Sequence, residues 1–343
     1  MIKNLITGPG FVASHLADLL LEKGEDVWIS SRWTDDKRSF EHIKDKVKWI
    51  AMDLNDAWSC LKVIEEVKPD YIYHLGAQSS VPESFAYPAQ TLMTNGIGTL
   101  NLLEAVRQVK ERLEDEYGLK MDSISEYYKF DPVIHVCSSS EVYGVVREED
   151  QPIKETTPFN PANPYAVSKV TEDQLALMYH TNYGLKTIRT RFFTHTGPRR
   201  VMMSAECFYA KRIAEIEHEM LYSPKEEYVI KLGNMQSIRT WADVRDAVRA
   251  YYLLARSGKY GEVFNVGGNN VCDIQGILEL LLFVSKIERS KIKFETDPKL
   301  LRPYDVMKQT VDISKLMNVI DWKPTITLEQ TMTDLLDDWR NRV

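Results

Sequence analysis

The sequence predicts an α/β protein, a doubly wound parallel sheet carrying a smaller C-terminal α/β lobe. Three observations lead there. Short apolar runs alternate with stretches of helical periodicity along the chain, the pattern of a parallel sheet with crossover helices. At the N-terminus the run I-K-N-L-I-T (residues 2–7) meets G-P-G and then F-V-A-S-H-L-A-D-L-L-L-E-K-G, so strand, glycine turn and helix follow in order. Near the middle, P-V-I-H-V-C leads into Ser138, Ser139, Ser140 and Glu141, and N-P-Y-A-V-S-K follows at 163–169.

The helix after the glycines stops at Gly24, a suitable C-cap. Gly8, Gly10 and Ala13 fit G-x-G-x-x-A, in which glycines let backbone donors approach a pyrophosphate at a helix N-terminus. A second strand, D-V-W-I-S-S, ends at Ser31-Arg32. An acid there would bind a ribose 2′-hydroxyl, whereas an arginine suits a 2′-phosphate, so NADP is expected, with NAD as the alternative. Arg38 is a second cation for that phosphate, and Asp35 and Asp36 are nearby competitors. V-K-W-I-A-M-D-L predicts a third strand ending at Asp53, with a helix from Asn55 to Val67. D-Y-I-Y-H-L-G-A-Q-S-S-V is a strand and loop, and Thr94–Val106 begins a long helix that runs on into a charged, solvated stretch. P-V-I-H-V-C reads as a buried parallel strand.

Asn163 is a good N-cap and Pro164 fits the first helical position. Tyr165 and Lys169 then lie four apart on one helical face. An ammonium beside a phenol favours the phenolate and draws a group with an ordinary pKa near ~10 toward neutrality. Tyr165 is therefore expected to accept a proton from a sugar or alcohol hydroxyl. Beyond this helix L-K-T-I-R-T-R-F-F is a strand, S-A-E-C-F-Y-A-K-R-I-A-E-I-E an amphipathic helix, and G-E-V-F-N-V-G-G a further strand and turn.

Composition narrows the function. The 343 residues suffice for two lobes, and a formal net charge of −7 argues against a nucleic-acid partner. Cys60, Cys137, Cys207 and Cys272 are scattered without metal-binding spacing, so no metal is expected and the thiols suit a reducing, cytoplasmic setting. No signal peptide is recognised, and L-E-L-L-L-F-V near residue 280 is too short to span a membrane.

The glycine loop, the serine-ended strand and the Tyr165–Lys169 pair resemble the extended short-chain dehydrogenases/reductases that act on nucleotide sugars, across nearly the whole chain. The resemblance implies a Rossmann NADP-binding domain from 1–193 plus 239–267, and a nucleotide-sugar-binding lobe from 194–238 plus 268–343. It implies cofactor contacts from Gly8, Gly10, Phe11, Val12, Ser31, Arg32, Asp53, Leu54, Leu75 and Ala77, together with Tyr165 and Lys169. The family writes its loop T-G-x-x-G-F-x-G, whereas this chain has T-G-P-G-F-V-A, one residue shorter, and Pro9 removes a donor. Among the three serines, alignment with the family selects Ser139 as the partner of the reacting oxygen.

Glu141 holds the position of the glutamate in nucleotide-sugar 4,6-dehydratases. Once C4 of a hexose is a ketone, its C5 proton is acidic enough for a carboxylate to remove. The same carboxyl can then protonate the departing C6 hydroxyl. Related decarboxylases and some reductases share S-x-E, so this motif leaves the reaction open. Pro158-Phe159, T-H-T-G-P-R-R, L-G-N-M-Q-S-I-R and L-R-P-Y-D-V resemble the GDP-mannose 4,6-dehydratases. The C-terminal half resembles the GDP-4-keto-6-deoxy-mannose reductases equally well. Substrate contacts are implied for Ser79, Ser139, Thr194 (an asparagine in the family), His195, Arg200, Arg239 and Arg302, the last two clamping the diphosphate. The expected function is thus a GDP-sugar 4,6-dehydratase, with the 4-keto reductase or another epimerase or decarboxylase of the family as alternatives. A homo-oligomer, dimer or tetramer, is expected. A non-catalytic dinucleotide sensor would need no Tyr–Lys pair.

Overall fold

The computed structural model describes residues 1–116, 130–201, 204–301 and 306–343. Its strands in chain order are β1 (Lys3–Thr7), β2 (Asp26–Ser31), β3 (Lys48–Ala51), β4 (Tyr71–His74), β5 (Val133–Ser139), β6 (Lys186–Phe192) and β7 (His195–Thr196). They continue with β8 (Tyr228–Leu232), β9 (Ile238–Asp243), β10 (Val263–Val266), β11 (Asn270–Asp273), β12 (Ile292–Thr296) and β13 (Lys308–Gln309). Seven form one sheet in the order β10-β6-β5-β4-β1-β2-β3, every neighbouring pair parallel. The strand order reverses between β1 and β4, so the loops after these two strands part and leave a crevice at their carboxyl ends.

Helices cover both faces, which is why β5 and β6 are almost continuously buried. On one face Leu16, Leu20, Tyr251 and Leu254 pack from the helices Phe11–Glu22 and Val244–Ala255. On the other, Ile64, Val106, Ala176 and Tyr179 pack from Ala57–Val67, Gly98–Glu116 and Pro164–Tyr183. A second core joins Ile213, Trp241, Ile277, Leu281, Leu335 and Trp339 from the helices Ala205–Tyr222, Ile274–Val284 and Leu328–Arg340 and the strand β9. There β9 lies between β11 and β13, with β7 also paired to β9, while β8 and β12 form a separate parallel pair.

Several boundaries differ from the sequence reading. The third strand ends at Ala51 rather than Asp53: the Asp53 carboxylate accepts the Asn55 N–H, and Asp56 caps a helix that starts at Ala57. The long helix expected from Thr94 opens with a π-turn, Met93–Ile97, before Gly98–Glu116. The strand carrying Arg239 does not join the large sheet, although the helix after it does pack there. Leu316, Ile320 and Trp322, from the stretch expected in the second lobe, pack into the first core, and the Trp322 indole donates to the Asp246 carbonyl. Among the described residues no helix is long and apolar enough to cross a membrane, and no cluster could hold a metal ion.

Candidate active site

The helix Pro164–Tyr183 starts as its residues dictate. The Asn163 side chain accepts the Ala166 N–H at 2.8 Å, and Pro164 occupies the first turn. The same side chain has a second role: its Nδ2 donates to Glu141 Oε2 at 2.9 Å. The cap of the Tyr165 helix thereby fixes the glutamate.

β5 delivers three serines to this corner, and each is tied differently. Ser138 Oγ donates to the Lys169 carbonyl, and Ser140 Oγ donates to Gln309 Oε1. Ser139 Oγ accepts the Glu141 N–H at 3.2 Å, and the same side chain lowers the Tyr165 phenol. Of the three serine hydroxyls, Ser139 therefore sits where it and Tyr165 can share one substrate oxygen. Lys169 Nζ lies 5.9 Å from the Tyr165 ring centre and donates to the Cys137 carbonyl and to Glu172 Oε2, both at 2.9 Å.

The electrostatics differ from the expectation for Tyr165. Burial pushes its phenol above the ordinary value, and this outweighs the lowering by Lys169 and by Ser139. The carboxylate of Glu172 works against Lys169 at the same site. On Lys169 burial opposes the charge, yet the attraction of Glu172 prevails and holds the ammonium. On Glu172 burial prevails over Lys169 and raises the carboxyl to about 7.

The glycine loop has the shape of a phosphate cradle. Gly8 has φ +78°, its N–H donates to the Ser30 carbonyl, and a Cβ would stand 2.9 Å from the Gly76 Cα. Gly10 precedes the helix Phe11–Glu22, no side chain caps that helix, and a Cβ on Gly10 would meet open space. The first-turn N–H groups, Phe11 and Val12 among them, are thus presented to that space, as a pyrophosphate requires, despite the shortened loop. Leu54 lies against both Gly76 and Gly98. Thr7 Oγ1 accepts the Leu75 and Gly76 N–H groups, and Asn95 holds Gln78, between Ala77 and Ser79, by two hydrogen bonds to its backbone. These residues fit a dinucleotide.

At the ribose end Ser31 is buried, whereas Arg32 is exposed and forked onto Asp35 at 2.9 and 3.1 Å. Arg38 is likewise forked onto Asp36. His195 stacks on Phe11, and burial, helped by Arg200, lowers its imidazole to about 3. Arg200 stands over the other aromatic partner, Phe11, and is tied to Ser204, Glu206 and the His195 carbonyl. Both therefore pack on the start of the glycine-loop helix. The Thr194 carbonyl accepts the Ala242 N–H. Arg239 donates to its neighbour's carbonyl on β9, and Arg302 lies outside the described residues.

Sequence reasoning missed several groups that build the site. Asn95 reaches Ser168 on the catalytic helix as well as Gln78. Gln309, opposite Arg239 in the β9–β13 register, donates to the Ser140 and Gly144 carbonyls and so joins β13 to the Glu141 turn. Arg189 and Arg191 share the buried carboxylate of Asp173, and Arg191 also bonds the Tyr143 hydroxyl. Only the spacing of Glu172, three after Lys169 on one face, was visible beforehand.

The family model described as GDP-mannose 4,6 dehydratase matches residues 5–335. The chain is 31% identical over 290 residues to a GDP-6-deoxy-D-mannose reductase of Pseudomonas aeruginosa, spanning 84% of each. It is 30% identical to a GDP-mannose 4,6-dehydratase of Vibrio cholerae, over 97% of this chain and 92% of that one. Among solved structures, RMD from Pseudomonas aeruginosa complexed with NADPH is similar over 100% of both chains, with a TM-score of 0.77 and 28% identity. A Thermus thermophilus UDP-glucose 4-epimerase, 24% identical with a TM-score of 0.80 over 100% of both chains, shares the fold.

Proposed function

The chain belongs to the GDP-mannose 4,6-dehydratase family, and we propose that it converts a GDP-hexose, GDP-mannose in the first instance, to the 4-keto-6-deoxy sugar. The observation that carries this reading is Glu141, two residues after Ser139, held by Asn163 at the head of the Tyr165 helix. Tyr165 takes the O4 proton while Ser139 holds that oxygen. Glu141 then takes the C5 proton and returns it to the C6 hydroxyl, which leaves as water, and the proton that Tyr165 took from O4 is given back to the sugar at C5. Bound NADP would supply the redox chemistry, hydride acceptance at C4 and hydride donation at C6, and its oxidised ring would carry a positive charge that favours the phenolate. Lys169 adds its own charge beside the phenol. Gly8, Gly10, Phe11 and Val12 would hold the pyrophosphate, and Arg32 the 2′-phosphate.

Arg239 is proposed to bind the substrate diphosphate. Its place on β9, next to the strand whose Gln309 braces the Ser140–Gly144 turn, supports this. A homo-oligomer is part of the proposal, supported by exposed Phe85, Tyr87, Leu92, Met93, Ile97 and Val167 on adjoining helices. A cytoplasmic location, with four free thiols, belongs to it as well.

Incubation with GDP-mannose, trace NADP and no reductant tests the reading. A 4-keto product lighter by one water is expected. The Pseudomonas aeruginosa relative favours a second reading, reduction of a 4-keto GDP-sugar. That outcome would leave GDP-mannose untouched and consume one NADPH per turnover.

A further inference from the structure

Glu172 has no place in the chemistry above, yet it is among the most unusual residues near the site. It is 1% exposed, and a carboxylate is almost never buried so fully without several partners. Among the described residues Glu172 Oε2 accepts a hydrogen bond from Lys169 Nζ at 2.9 Å, while Glu172 Oε1 is buried with no partner. A carboxylate retained for structure would be expected to satisfy both oxygens. This one is tethered through the lysine that serves Tyr165.

The groups around it sharpen the assignment. On its own helix Asp173 is occupied by Arg189 and Arg191 from β6. From β5, Cys137 has a thiol raised by burial, and His135 is kept neutral by burial. From β4, His74 is likewise neutral between Thr7 and Thr99, and from Val244–Ala255 the Tyr251 hydroxyl meets the Cys137 sulfur. Glu141, on the turn after β5, is turned to Asn163. Glu172 is thus the carboxylate that answers Lys169.

We propose that Glu172 is a positioning residue for the Tyr165–Lys169 pair: its carboxylate fixes the Lys169 ammonium and offsets part of the charge that ammonium presents to the Tyr165 hydroxyl. The ammonium has three hydrogens. Two go to the Cys137 carbonyl and Glu172, which leaves one for a ligand. The offset follows from sign alone, since an anion beside the ammonium makes the phenol harder to ionise. Protonation of Glu172, whose carboxyl is raised to about 7, would release that opposition. The proposal rests on Tyr165 being the proton-transfer group, but it can be read from the phenol without turnover.

The experiment is a titration of the Tyr165 phenol in protein labelled with ¹³C at the tyrosine ring carbon bearing oxygen, with Tyr165→Phe assigning the resonance. Glu172→Gln keeps an acceptor for Lys169 and removes the charge. Its Tyr165 midpoint should fall by about one pH unit, the scale of one charge a few ångströms away at an intermediate dielectric. The acid limb of kcat should move the same way, with KM for the sugar nucleotide held. Glu172→Ala gives the same reading should the amide disturb the fold. A Tyr165 midpoint unchanged in a folded variant would overturn the proposal. A shifted midpoint in a protein that leaves GDP-mannose untouched would support it while sinking the dehydratase reading.

Discussion

The two ends of the cofactor crevice are built in opposite ways. At the catalytic end the polar side chains are held by buried or fixed groups: Asn163 by the helix it caps, Lys169 by Glu172 and the Cys137 carbonyl, Ser139 by the Glu141 N–H. At the ribose end Arg32 and Arg38 are exposed and paired with their own neighbours Asp35 and Asp36. Buried hydrogen-bonded groups cost much to displace, whereas exposed ion pairs contribute little and exchange partners readily. In the proposed reading the chemistry is thus preorganised, and cofactor choice rests on surface charges that a phosphate would recruit.

Changes at the catalytic end should therefore have the larger effects. Tyr165→Phe removes the proposed proton acceptor and should lower turnover by on the order of 10²–10⁴-fold, with the fold intact by circular dichroism. Nearly unchanged turnover would take Tyr165 out of the reaction. Asn163→Ala removes both the cap and the anchor of Glu141. It should cost about 0.5–2 kcal/mol of stability in a urea titration, whereas Asn163→Asp, which keeps the cap but cannot donate to Glu141, should recover the stability and not kcat. Full kcat in Asn163→Asp would show that Glu141 needs no anchor.

Arg239→Ala should weaken GDP binding by about 1.5–3 kcal/mol, the range for hydrogen bonds to charged groups, read by calorimetry. Unchanged affinity would remove it from the diphosphate site. Arg32→Ala should weaken NADP more than NAD, and by an amount that shrinks in high salt, because the arginine is exposed. Equal losses for both cofactors would mean that Arg32 does not touch the 2′-phosphate.

That contrast also explains what was legible in the sequence. The strand–glycine–helix opening, the Asn163 cap and the Tyr165–Lys169 spacing are local patterns, and they stand within a residue or two of where periodicity and capping place them. The state of Tyr165 was not legible. An adjacent lysine lowers a phenol, but burial and Glu172 reverse the outcome, and both depend on what β5 and the sheet lay against the helix. Two neighbouring acids gave no hint that Asp173 would be taken by two arginines from β6 while Glu172 turned to Lys169. The second role of Asn163 and the brace from Gln309 join residues 22 and 169 positions apart, beyond any local pattern. The sheet joined by β9 depends on pairings with β11, β13 and β7, which strand propensity does not specify.

Burial of the histidines has a consequence for pH. His15 is lowered to about 4, and His74, His135 and His195 to about 3, burial being the first cause in each. A histidine neutral in the folded protein and ordinary when unfolded stabilises above its unfolded pKa near ~6.5, and that stability is lost as pH falls toward the folded value. Unfolding free energy should therefore drop between pH 6.5 and 4, by up to about 1.4 kcal/mol per pH unit for each such histidine. Urea midpoints independent of pH across that window would show these rings to be accessible to protons.

The central claim is that one active site oxidises C4 and reduces C6 with no net change in the cofactor. GDP-mannose bearing deuterium at C4, incubated with the protein and catalytic NADP, tests it most directly. The account predicts a 4-keto product with the deuterium at C6, seen by mass spectrometry and NMR, and turnover well beyond the NADP supplied. Recovery of the labelled GDP-mannose unchanged, or deuterium accumulating in the reduced cofactor, would contradict it.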